Sequence, residues 1–161
     1  MKPILSLLLL GAAAVATPTD ARPAPSSPLL GRWTVDLAKL PIPPEARPKS
    51  VLFTFSSAPG GQWRTTVDIV DADGSQRHMA SIATLDGTPA KIEGNMSEAD
   101  TVALSQPQPN VLVMSLARGG APASTRVYTI APGGKTMTET ATYVGEDGKP
   151  LFRINRFERV K

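Results

Sequence analysis

The chain has 161 residues, with 17 Lys and Arg against 14 Asp and Glu, one His and no Cys. The absence of cysteine excludes a disulfide framework, a thiolate metal site and a cysteine nucleophile, and a single His excludes a His–His metal cluster within one chain. A net charge of +3, spread along the sequence, does not argue for nucleic acid, and the length fits one domain able to bury a core.

Residues 1–16 have the pattern of a secretory signal peptide. Lys2 supplies the positive start, Ile4 to Val15 is almost unbroken apolar, and Ala14-Val15-Ala16 is a small-x-small cleavage site. The apolar run is about a dozen residues, short of the ~20 a membrane-spanning helix needs. The mature chain is therefore expected to be exported, periplasmic or secreted, without a transmembrane segment. Residues 17–28 carry Pro18, Pro23, Pro25 and Pro28 among Ser, Thr and Ala, the composition of an extended tether. The single folded domain is expected over residues 29–161.

From Gly31 onward period-2 alternation is punctuated by turn residues every eight to twelve positions, which predicts an all-β, antiparallel, up-and-down barrel of about 8–10 strands with little helix. In chain order the expected strands are 31–36, 51–56, 63–69, 76–84, 89–93, 101–105, 110–116, 124–130, 136–143 and 151–160. Pro41, Pro43, Pro44 and Pro48 exclude strand and helix from residues 40–49, predicting a long loop after the first strand. Val51, Phe53 and Phe55 share one face, as do Trp63, Val67 and Ile69. Thr136, Thr138, Thr140 and Thr142 form an outer row.

Asp73-Gly74 and Asp147-Gly148 read as two-residue hairpin turns. Centring the strands on them pairs Ile69 with His78 and turns His78 inward. The same arithmetic sets Glu139 opposite Arg156, while closure through residues 131–134 sets Arg126 opposite Glu139 and Tyr128 opposite Met137. Arg126, Glu139 and Arg156 are thus expected to meet inside. One reading of the surplus guanidinium is a receptor for a ligand carboxylate or phosphate; the other is a structural plug at one barrel end.

Catalytic patterns fail. Gly133-Gly134-Lys135-Thr136 lacks the earlier glycine of a phosphate-binding loop, since position 129 is Thr129. Asp71-Ala72-Asp73-Gly74 lacks the remaining ligands of a calcium loop. No Gly-x-Ser-x-Gly elbow presents a nucleophile.

Gly31-Arg32-Trp33 on the first strand, with an Arg on the last, resembles the calycin superfamily of lipocalins and fatty-acid-binding proteins. In that superfamily the Trp packs against a final-strand Arg and closes one barrel end; the resemblance assigns these roles to Trp33 and Arg156, or Arg153. The Arg-x-Tyr lipid clamp of fatty-acid-binding proteins is not carried over, because Asn155 stands where the Arg belongs when Phe157 is aligned with the Tyr. Gly31-Arg32-Trp33, Asp73-Gly74, Gly134-Lys135-Thr136-Met137-Thr138 and Asp147-Gly148-Lys149 also resemble small exported bacterial proteins without assigned activity. The resemblance implies an up-and-down barrel with an interior pocket.

The expected function is an exported, non-enzymatic barrel that needs no metal or cofactor. Its expected partner is a small lipid-like or anionic ligand, with Arg126, Glu139, Arg156, His78, Tyr128, Trp63, Phe53 and Phe55 as the ligand-binding residues. Trp33 with Arg156 is expected to close the barrel. The alternative is a filled barrel acting as an envelope interaction or inhibitor module through loop 37–49 and the hairpin tips.

Overall fold

Ten strands are formed in a computed structural model that describes residues 26–95, 97–145 and 147–161. They are β1 (Gly31–Val35), β2 (Ser50–Ser57), β3 (Trp63–Val70), β4 (Gln76–Ala83), β5 (Asp86–Gly94), β6 (Thr101–Gln108), β7 (Val111–Arg118), β8 (Ala121–Ile130), β9 (Thr136–Val144) and β10 (Pro150–Arg159). Each pairs antiparallel with its chain neighbour, and β1 pairs with β10 to close the barrel. Closure removes the free edges that an open ten-stranded sheet would expose. The expected signal segment 1–16 and residues 17–25 of the tether lie outside the described residues. Ser27 and Pro28 are already hydrogen-bonded to the barrel, through Gln106 and Arg159.

The up-and-down topology sends alternate connections to opposite ends. At one end stand the 36–49 loop and the β3–β4, β5–β6, β7–β8 and β9–β10 connections. The other end receives the chain entry at residues 27–30. That second half is packed solid. Trp33, Tyr128, Phe55, Leu104, Leu112, Met137 and Phe157 are at most 1% exposed. Phe53 meets Phe157 edge-on at 5.3 Å between ring centres, and Tyr128 meets Phe55 and Phe157 at 5.9 and 6.1 Å. Such tilted contacts add about 0.5–1.5 kcal/mol each beyond area burial.

The hairpins differ from the two-residue turns expected at Asp-Gly. Asp71 N–H donates to Ser75, Val70 pairs with Gln76, and Gly74 sits at φ +92°. Gly145 N–H donates to Lys149, Val144 pairs with Pro150, and Gly148 sits at φ +75°. Each loop therefore holds three residues with a left-handed glycine in the last, a conformation that side chains with a Cβ rarely adopt. Asp73 Oδ1 accepts from Ser75 N–H at 2.8 Å and locks the first of these turns.

One extra residue in a loop moves the following strand by one position and reverses which side chains face inward. His78 therefore pairs with Asp68, not Ile69, and points to solvent, its Nδ1 2.6 Å from Asp68 Oδ1. Arg156 pairs with Thr138, not Glu139, and is exposed. The β8–β9 hairpin shifts by two, so Tyr128 lies opposite Glu139 and Arg126 opposite Ala141, with the inward faces preserved.

The β4–β5 connection carries a further local lock. Asp86 accepts from the Thr84 hydroxyl at 2.6 Å and from Thr88 N–H at 2.9 Å. These bonds, Thr84's first, hold its carboxyl down at about 2 against an ordinary 3.8. The folded pKa lies below the unfolded one, so this contribution is complete above pH 3.8 and is lost as the pH falls through about 2. NMR titration of the Asp86 carboxyl should give that low midpoint, and Thr84→Ala should raise it. A midpoint unmoved by Thr84→Ala contradicts the assignment.

Candidate functional site

β1 is short. It pairs with β10 only through Trp33–Val35 against Phe157–Arg159, leaving Pro150–Asn155 without a β1 partner. Small side chains at Ser81 and Ala99 further reduce filling at this end. The result is a cavity of about 420 Å³ in the open half of the barrel. Val51, Phe53, Val67, Val102, Met114 and Leu116 form most of its apolar wall, and Leu40 of the proline-rich loop closes one side. Phe53 and Phe157 belong both to this cavity and to the aromatic core, so they form the boundary between the open and packed halves.

A polar cluster stands on that boundary. Glu139 is 2% exposed. Its Oε1 accepts from the Tyr128 hydroxyl at 2.7 Å and from Arg126 Nη1 at 3.5 Å, while its Oε2 accepts from Asn155 Nδ2. Arg126 Nη2 donates to Glu98, on the β5–β6 connection, and Nε donates to Ser124 Oγ. A buried carboxylate is tolerated when such donors replace water.

Burial opposes charge on Arg126, but the oxygens of Tyr128, Glu139 and Glu98 outweigh it and raise its pKa. Burial, reinforced by Glu139, pushes the Tyr128 hydroxyl well above its usual range, so it remains a neutral donor. Burial also raises Tyr143, whose ring lies under Arg153 at 5.4 Å and near Arg126 at 5.9 Å.

The expected site residues divide into three groups. Arg126, Glu139 and Phe53 line the cavity. Tyr128 touches it only through Glu139, and Phe55 and Trp63 are packed in the closed half. Trp63 also borders a more open outer depression of about 570 Å³, beside Ser27 and Gln106. His78 and Arg156 face outward. Asn155 takes the place expected for Arg156 opposite Glu139, and Glu98 supplies a second acid that no strand register could reveal because it lies on a connection. The cluster therefore contains one guanidinium and two carboxylates, not the reverse.

The closing arginine is Arg159, not Arg156. Its guanidinium lies 4.1 Å from the Trp33 ring centre. Its nitrogens donate to the carbonyls of Gly134 at 2.7 Å, Leu30 at 2.8 Å and Pro28. A Cβ on Gly31 would fall 2.6 Å from Arg159 Nη1, so glycine leaves room for the guanidinium. Trp33 Nε1–H donates to Leu29 at 2.8 Å. Trp33 and Arg159 thus tie the entering chain, β1, β10 and the β8–β9 turn into one closed end.

No protein family, curated protein or solved structure matches the chain.

Proposed function

We propose that the chain is an exported, non-enzymatic, calycin-like barrel that holds a small, mainly apolar ligand in its open half. The cavity is the observation that carries this reading. At about 420 Å³ it falls within the ~300–1,000 Å³ of small-molecule sites. It also has the usual character of such sites, an apolar wall with a few convergent polar groups. Export rests on the pattern of residues 1–16, and calycin likeness on Gly31-Arg32-Trp33 stacked beneath Arg159.

Of the two expected ligand chemistries, the apolar one fits better. Arg126 already faces Glu98 and Glu139, so an anion placed beside it would meet two like charges. Both acids are held as counter-ions of Arg126, an arrangement that supports binding over acid–base chemistry. Leu40 in the cavity wall ties the proline-rich loop to ligand retention. The interaction-module alternative has no comparable support.

Native mass spectrometry tests the proposal. The folded protein should carry one small organic molecule per chain, lost on denaturation, or should take one up on exposure to naphthalene. Bare chain mass under both conditions contradicts it.

A further inference from the structure

β10 has no strand beside it on the β1 side over Pro150–Asn155. Which backbone groups this frees follows from the bonds on either flank. The Lys149 carbonyl accepts from Gly145 N–H, and Arg159 N–H donates to Lys135, so the odd-numbered residues of β10 face β9. The Arg156 carbonyl accepts from Asp36 N–H, and Val160 N–H donates to Arg32, so the even-numbered residues face the β1 side. The N–H and C=O of Phe152 and Ile154 therefore point along the open edge, with no partner among the described residues.

The side chains of the same two residues stand on the outer face, and both are largely exposed. Val144, opposite Pro150 on β9, extends the apolar patch. Natural sheet edges are commonly covered, bulged or guarded by charge; this one is uncovered, since Pro150 to Ile154 are all exposed, and it carries two large apolar side chains. Such an edge accepts a further strand, whose main chain completes the ladder.

Two features fix how long that strand is. Pro150 has no N–H to donate, and the Arg156 carbonyl is already taken by Asp36. Between them lies Leu151–Asn155, a stretch that complements itself when reversed. In an antiparallel pair of two copies centred on Arg153, Phe152 exchanges both hydrogen bonds with Ile154 of the second copy, and Ile154 with its Phe152. Each pair also sets an aromatic side chain against a β-branched one on the outer face. Centring on Phe152 would set Ile154 against Pro150, which has no N–H. Centring on Ile154 would set Phe152 against Arg156, whose carbonyl is occupied. A lipid surface would cover the apolar side chains but leave the edge unpaired.

We propose that this edge is a self-association surface, at which two copies join β10 to β10 about a twofold axis at Arg153. The overlap is short, so the dimer is weak and reversible, in the class of interfaces below ~1,200 Å². Arg153 faces its own copy across the axis, a like-charge pair that lowers affinity. Each guanidinium lies over Tyr143 of β9, on the side away from the axis. The proposal does not depend on what the cavity holds.

Amide hydrogen exchange of the wild-type chain, compared at micromolar and millimolar concentration, tests it residue by residue. The Phe152 and Ile154 amides should slow several-fold at the higher concentration, while those of Leu151 and Arg153, which face β9, stay unchanged. In analytical ultracentrifugation, wild type mixed with Arg153→Glu should associate several-fold more tightly than either chain alone, because Glu then faces Arg across the axis. Ile154→Pro, checked for an unchanged melting transition, removes one N–H while keeping an apolar side chain and should abolish the dimer. Exchange at Phe152 and Ile154 that is independent of concentration overturns the proposal. So does an Arg153→Glu homodimer as tight as the mixed pair. A chain that stays monomeric and instead cosediments with phosphatidylglycerol vesicles assigns the patch to a lipid surface and overturns it too.

Discussion

Trp33→Ala should destabilise the barrel by about 3–5 kcal/mol, the range for emptying a buried aromatic site. Trp33 is fully buried, and its loss acts on several elements together. It removes the β1 side chain beside Phe53 and strips the ring from beneath the Arg159 guanidinium. It also leaves the Leu29 carbonyl without its donor. Arg159 retains its bonds to Gly134, Leu30 and Pro28, so the end should loosen without every tie being lost. Urea unfolding followed by far-ultraviolet circular dichroism measures the change. A loss below about 0.5 kcal/mol, the range of an ordinary surface substitution, contradicts the assignment of this end as the closed one.

Glu139→Ala should have a comparable effect for a different reason. Removing one partner of a buried ion pair typically costs about 3–5 kcal/mol, because the remaining charge stays buried and unpaired. Here the Tyr128 hydroxyl and the Asn155 amide also lose their acceptor. Glu98, which is 46% exposed at its side chain, remains for Arg126 and places the expected loss at the lower end. Arg126→Met alone removes the donor and sets Glu98 and Glu139 against the same cavity. The double variant Arg126→Met, Glu139→Leu removes both charges and should cost less than the sum of the single changes. Strict additivity in urea unfolding contradicts direct coupling of the pair.

The strand order was legible in the sequence because turn residues recur at short intervals and the apolar alternation between them is clear. All ten strands lie where that alternation places them, and prolines 41–48 mark the long loop. Pro44–Ala46 nevertheless form a single 3-10 turn within it, where helix was not expected, because a proline is tolerated in the first turn of a helix. Phe53, Phe55, Trp63 and Tyr128 were legible as interior residues because each shares a face with other apolar positions.

Register was less legible. Asp-Gly fits both a two-residue turn and the end of a three-residue loop, and the choice reverses every side chain beyond it. In β10 the apolar pattern favoured the wrong choice. Phe152 and Ile154 are 71% and 60% exposed, opposite Thr142 and Thr140 of the outer threonine row. Phe157 carried the contrary signal, since a buried Phe157 puts Asn155 inward and Arg156 outward. Arg159, two positions further, then reaches Trp33. The β3–β4 hairpin held a similar cue, because the three-residue loop sets Val67 opposite Met79 and Trp63 opposite Ala83 while releasing His78 to solvent. Glu98 had no such cue, as its approach to Arg126 depends on the path of a connection and not on a periodic pattern.

The most direct test of the account is naphthalene binding to the wild-type chain and to Val102→Phe, measured by fluorescence titration beside a melting curve. Val102 is buried on β6 and faces the cavity, so a phenyl ring there fills space the ligand needs. Saturable one-to-one binding to the wild type is expected, and in the variant at least a tenfold loss of affinity without a lower melting temperature. Equal binding by the two chains, or no binding by the wild type, contradicts it.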